Sequence, residues 1–205
     1  MVANSGTALT SKGANTRIRV LECARQVLVA EGYDALALRD LAKRCNMQLG
    51  NLQYYFPTRD ALLEAIIAAE ADQDVAALKS ARNNSSHKDW GDPVQHFTAL
   101  VNHLVSRWRG ESGIIFGMLN FLALNKPAFR ALRDHIYATF YAELAGLIQQ
   151  IDPSLDGASR DLRVTLITAL IDGAAQQIRI GDSQRYVEAV ADAALRIVHT
   201  AKPVG

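Results

Sequence analysis

Cysteine is scarce in this chain: two thiols, Cys23 and Cys45, in 205 residues. Both fall on core-facing positions of separate predicted helices, which argues against a disulfide framework and for a reducing, cytoplasmic setting. Long apolar runs are missing as well. Every hydrophobic stretch is broken by Arg, Asp, Glu or Gln well short of a bilayer span, so no membrane partner is expected. No apolar segment follows a basic one near Met1, so a secretory signal is not expected. Strand-like alternation is absent, and so is any internal repeat. There is no nucleophile elbow, phosphate-binding loop, dinucleotide fingerprint or zinc motif. The chain therefore does not read as an enzyme, no catalytic residue is assigned, and no cofactor is expected. His96 and His103 stand seven apart on one predicted helix, whereas helical metal pairs favour an i, i+4 spacing, so no metal site is predicted. Asp156 and Asp161 read as helix-entry acids.

What remains is helix. Hydrophobic residues make up 49% of the chain, with Ala and Leu prominent, and the length suits one or two domains with a sizeable core. The net charge of +1 hides an asymmetry. Residues 1–60 carry eight Lys/Arg against five acids, a net of +3, which leaves −2 for the rest. A basic N-terminal module on an acidic body suits a polyanionic partner, although a +3 bias is modest.

The stretch from Arg39 to Arg59 organises the rest. Leu38, Leu41, Ala42 and Cys45 recur at helical spacing and predict a helix over Leu38–Cys45. Asn46 tolerates the left-handed conformation that follows a helix end. Met47 turns inward, and Gln48–Tyr55 forms a second short helix with Met47, Leu52 and Phe56 facing the core. Pro57 stops it, and Thr58 caps the next helix. Two helices joined by so short a turn predict a helix-turn-helix, whose second helix enters the DNA major groove.

LAKRCNMQLGNLQYYFPTRDALL resembles the DNA-binding signature of the tetracycline-repressor (TetR) family. Leu41, Ala42, Met47, Gly50, Leu52, Tyr55, Phe56, Thr58 and Leu62 match or substitute conservatively. The preceding RIRVLECARQVLVAEGY, Arg17 to Tyr33, resembles the family's bracing helix with its closing Gly-Tyr. Asn46, Gln48, Gln53 and Arg59 depart from the usual Gly, Ser, Tyr and Lys. The resemblance implies an all-α fold of about nine helices, a double-stranded DNA operator, a small-molecule effector and a homodimer.

On the second helix, Gln48, Asn51 and Gln53 carry amides able to pair with adenine edges, Leu49 can touch a thymine methyl, and Gly50 admits close backbone approach. These five are the predicted base contacts. Arg39, Tyr54, Tyr55, Thr58 and Arg59 are the predicted phosphate contacts, with family transfer supporting all but Thr58. Arg17 and Arg19 are further candidates.

Elsewhere, residues 1–14 read as a disordered arm, 15–60 as the DNA-binding domain and 61–205 as an effector-binding and dimerisation domain. Asn15 or Thr16 is predicted to cap the first helix and Gly32 to end it. A helix from Thr58 to about Ala81 is the expected lever, followed by a polar loop to Asp92. Further helices are predicted over Pro93–Gly110, Ile114–Leu124, Ala128–Ile151, Ser159–Ile180 and from Ser183 to between His199 and Ala201, with Gly181 ending the fourth of these and Asp182 or Ser183 capping the last. By resemblance, Trp108, Phe116, Asn120, Phe121, Tyr137, Phe140, Tyr141 and Gln176 line a cavity suited to a hydrophobic small molecule. The last two helices are the predicted dimer face, through Leu166, Leu170, Gly173, Ala174, Val187, Ala191 and Ala194. The reading is a DNA-binding repressor. An activator of the same fold, or an all-α ligand-binding protein or enzyme without DNA, is the alternative.

Overall fold

A computed structural model describes residues 11–85, 92–177 and 183–199. The fold is all-α: nine helices and a single 3-10 turn, with no strand among the described residues. Two compact units meet in sequence at Ile67 and Ala68, seven residues past the expected boundary.

The N-terminal unit holds α1 (Ser11–Glu31), the 3-10 turn Tyr33–Ala35, α2 (Leu38–Arg44), α3 (Leu49–Tyr55) and the first turns of α4 (Arg59–Ser85). Val20, Ala24, Val27 and Leu28 form the buried stripe of α1, and Leu36, Leu41, Leu52, Leu62 and Leu63 are buried in the same unit. α1 starts before the predicted cap, so residues 11–14 are helical rather than part of an arm. Extending an existing helix by a turn costs far less than nucleating one, and Asn15 and Thr16 are absorbed. The remainder of that arm lies outside the described residues. Gly32 ends α1 at φ 83°, its N–H reaching Leu28 O at 3.0 Å. That turn delivers Tyr33, whose hydroxyl donates to Asp60 Oδ1 at 2.8 Å.

α4 runs four residues beyond Ala81, because Arg82–Ser85 is polar yet holds no Pro or Gly to stop a helix. The rest of the predicted loop is outside the described residues but for Asp92. In the C-terminal unit, α5 (Pro93–Trp108) is central, packing on α6 (Glu111–Ala123), α7 (Pro127–Ile151), α8 (Gly157–Gln176) and α9 (Ser183–His199). Asp92 caps α5 by accepting from Val94 N at 3.0 Å, with Pro93 in the first turn. Asp156 caps α8 in the same way through Ser159 N at 2.8 Å. Gly113 makes the tight α5–α6 turn possible, since a Cβ there would lie 1.9 Å from Trp108 O. The predicted end of α8 at Ile180, Gly181, and Asp182, one of the two caps expected for α9, fall outside the described residues, as does Ala201.

The final helices correct the predicted dimer face. Ala174, Val187, Ala191 and Ala194 are buried in the protomer's own core with Phe97, Val101 and Leu104. α9 carries one apolar stripe, and packing on α5 and α8 uses it. Leu166 is 47% exposed, Gly173 is exposed and Leu170 half-buried, so these three lie on another side of α8.

Candidate functional site

The turn between α2 and α3 is closed by two backbone bonds, Met47 N to Ala42 O at 2.9 Å and Asn46 N to Lys43 O at 3.1 Å. This is the Schellman pattern, with Asn46 in the left-handed region at φ 51°. Gln48 precedes α3 in extended conformation. Leu52 and Phe56 are buried and anchor α3, leaving Gln48, Gly50, Asn51, Gln53 and Tyr54 exposed, with Tyr54 at 67%. Leu49 and Tyr55 are half-buried, and Tyr55 meets Tyr54 edge-on at 5.2 Å. Thr58 Oγ1 accepts from Ala61 N at 3.0 Å and caps α4. Arg39 is exposed at the start of α2. Arg17 lies over the Phe56 ring at 5.3 Å, and Arg19 is exposed. The Cys45 thiol is pushed up to about 12, first by burial and then by the neighbouring Cys23, so it stays a protonated packing group at neutral pH.

A second candidate lies in the C-terminal unit, a cavity of ≈ 260 Å³ bounded by α4, α5, α6, α7 and α8. Its walls are mostly apolar and aromatic. Trp108 stands 5.4 Å from Phe116 and 5.9 Å from Phe140 between ring centroids. Two carboxylates, Asp74 and Asp172, also line it. Asp74 accepts from Arg107 Nε at 2.6 Å and Trp108 Nε1 at 2.7 Å. Arg107 also bonds Glu70, which accepts from Ser112 Oγ at 3.1 Å. Burial raises Asp74 above the usual carboxylate range, and Trp108 and Arg107 hold it back. Asp172 accepts from the Tyr137 hydroxyl at 2.7 Å. Burial raises its pKa too, opposed by that hydrogen bond. Tyr137 is pushed well above the ordinary phenol range by burial first and then by the Asp172 charge.

Residues 20–66 match the family of bacterial regulatory proteins described as tetR. The likeness to the TetR family lies within the N-terminal unit. Over 64 residues it is 28% identical to the HTH-type transcriptional regulator UidR of Escherichia coli K12; the match covers 31% of this chain and 33% of UidR. The chain thus matches about a third of that curated relative's length. A TetR transcription regulator from Haloarcula marismortui superposes at TM-score 0.74 with 16% identity, over 91% of this chain and 97% of that one. A protein from Saccharomonospora viridis in complex with choline superposes at 0.67 with 19% identity, over 91% and 96%. At these identities the structural likeness is one of fold.

Arg59, a predicted phosphate contact, is engaged by groups of its own unit. Its guanidinium sits 3.4 Å from the Tyr33 ring centroid and pairs with Asp34 at 3.2 Å. The Gly32 turn places an electron-rich ring under it, so the cation is engaged inside its own unit. Of the predicted cavity residues, Trp108, Phe116, Asn120, Tyr137, Phe140 and Gln176 are brought together. Phe121 is 64% exposed and lines nothing there, because it lies on the opposite side of α6 from the buried Leu119 and Leu122. Tyr141 faces a separate hollow with Gln149, Arg160 and Val164, one turn beyond Tyr137 on α7. The acids Glu70, Asp74 and Asp172 escaped the sequence reading. Glu70 and Asp74 continue the apolar stripe of Leu63, Ile66 and Ile67 at i, i+3, i+4 spacing, which was the available signal. Among the described residues, no group of His, Cys, Asp and Glu forms a metal cluster, and no helix is long and apolar enough to cross a membrane.

Proposed function

We propose that this chain is a TetR-family DNA-binding transcriptional regulator acting as a homodimer, a repressor released by a small-molecule effector. The observation carrying the reading is the face of α3: an amide-rich exposed surface on a helix anchored by buried Leu52 and Phe56 behind a closed turn. Gln48, Asn51 and Gln53 read base edges, with Leu49 and Gly50 close to the groove floor. Arg39, Tyr54, Tyr55 and Thr58 set register on phosphates. Arg59 orders Tyr33 and contributes to the backbone contact only if its pairing with Asp34 opens.

The dimer face is the exposed side of α8. Leu162, Leu166, Leu170 and Gly173 recur at i, i+4, i+8 and i+11, a single stripe, and Leu162 and Leu166 stand half out of the core. Two copies joined there read successive major grooves about 34–36 Å apart. The C-terminal cavity holds the effector, a use supported by the choline complex of the Saccharomonospora protein. α4 belongs to both units and carries the coupling. Effector and operator then weaken each other's binding by one common factor.

Selection of bound sequences from a random duplex pool tests this reading. A pseudopalindrome should emerge, bound with an affinity that falls steeply with salt. Recovery of no preferred sequence, together with salt-independent binding, overturns it.

A further inference from the structure

We infer that the cavity of the C-terminal unit takes an organic cation, a quaternary or protonated amine on a compact apolar body, with its positive centre at Asp172. The inference rests on the cavity being the effector site and names the chemistry of what enters it.

The two acids in the cavity wall differ in how they are satisfied. Asp74 is held by a guanidinium and an indole N–H, so its charge is met from within the chain. Asp172 has the neutral Tyr137 hydroxyl as its hydrogen-bond donor, and among the described residues no Lys or Arg pairs with it. Among the described residues no basic side chain lines the cavity. A carboxylate withdrawn from water without a counter-charge is costly, and the fold keeps it facing an open volume. A ligand cation supplies the missing charge.

The walls suit the same species. Trp108, Phe116 and Phe140 form one continuous aromatic surface, and Tyr137 adds a fourth ring beside Asp172. Ring faces attract cations, most strongly where water is excluded. A hydrophobic ligand, the class expected from the sequence, fills the apolar wall, but if neutral it leaves Asp172 desolvated and unmatched. Asn120 and Gln176 are exposed residues that add polar groups to the cavity lining.

The test compares benzyltrimethylammonium with neopentylbenzene, its neutral counterpart with carbon in place of nitrogen, by equilibrium dialysis against the full chain. Hydrophobicity alone favours the neutral compound. The cation is expected to bind about tenfold tighter or better. Asp172→Asn keeps the side chain's shape and an acceptor for Tyr137. It should abolish the preference while leaving the neutral compound's affinity within about twofold. An unchanged helical spectrum and melting temperature show that the variant folds. A neutral compound that binds as tightly as the cation, or a variant that keeps the wild-type cation affinity, overturns the proposal. If only the neutral compound binds, the effector cavity stands and the charge assignment falls. If neither binds, both fall, while operator binding by α3 is scored separately on the same preparation.

Discussion

Replacing Arg107 with Met isolates the polar cluster beneath the cavity. One guanidinium serves Glu70 and Asp74, which sit on successive turns of α4 at 1% and 2% exposure. Met keeps most of the length and removes the charge. Both carboxylates, almost inaccessible, then lose their guanidinium, while Ser112 still donates to Glu70 and Trp108 to Asp74. Removing one partner of a buried ion pair costs about 3–5 kcal/mol, a large part of the roughly 5–15 kcal/mol that holds a domain folded. At a urea dependence of about 2 kcal/mol per molar, the midpoint should fall by roughly 1.5–2.5 M. The pH dependence has a definite sign. Asp74 already titrates above the usual carboxylate range, so the folded state binds its proton more tightly than the unfolded chain. Its contribution to stability is greatest in acid and is lost as pH rises through the folded value. Loss of Arg107 raises that value further, so the variant's deficit should shrink between pH 7 and pH 5. Urea melts followed by far-ultraviolet circular dichroism at both values measure it. Adding Glu70→Gln and Asp74→Asn to the variant should recover much of the loss. A midpoint within about 0.5 M of wild type, the behaviour of a solvated pair worth about 1 kcal/mol, would refute the reasoning, as would a deficit that grows in acid.

Asn46→Val should destabilise the N-terminal unit by about 1–2 kcal/mol through its left-handed backbone, whereas Asn46→Gly should be neutral or better; a thermal melt separates them. Asn51→Ala and Gln53→Ala should each relax base preference at one operator position by about 1–3 kcal/mol, while Arg39→Ala should weaken all sequences alike and lower the salt slope by about one; competition binding across single-base operator variants reads both. Leu162→Glu with Leu166→Glu should yield a folded monomer by light scattering after gel filtration, since both side chains stand about half exposed outside the protomer core.

The helix pair α2–α3 was legible because its determinants are local. Asn46 at a helix end, Gly32 before Tyr33, and Pro57 followed by Thr58 each act on the backbone within a few residues. The 3.6-residue spacing of Leu52 and Phe56 decides which side of α3 faces out. The same spacing could not decide the use of Ala174, Val187, Ala191 and Ala194. Small apolar residues suit a subunit interface and a core equally, and only the packing of α9 on α5 and α8 assigns them to the core. Arg59 looked free until the turn at Gly32 brought a ring beneath it. Nothing in the sequence around Asp172, set between Ile171 and Gly173, singles it out. It became a candidate anchor because Tyr137, thirty-five residues earlier, meets it while no Lys or Arg among the described residues does. Backbone preference is settled by near neighbours in the chain. Whether a buried charge finds its counterpart depends on groups that only the assembled fold brings within reach.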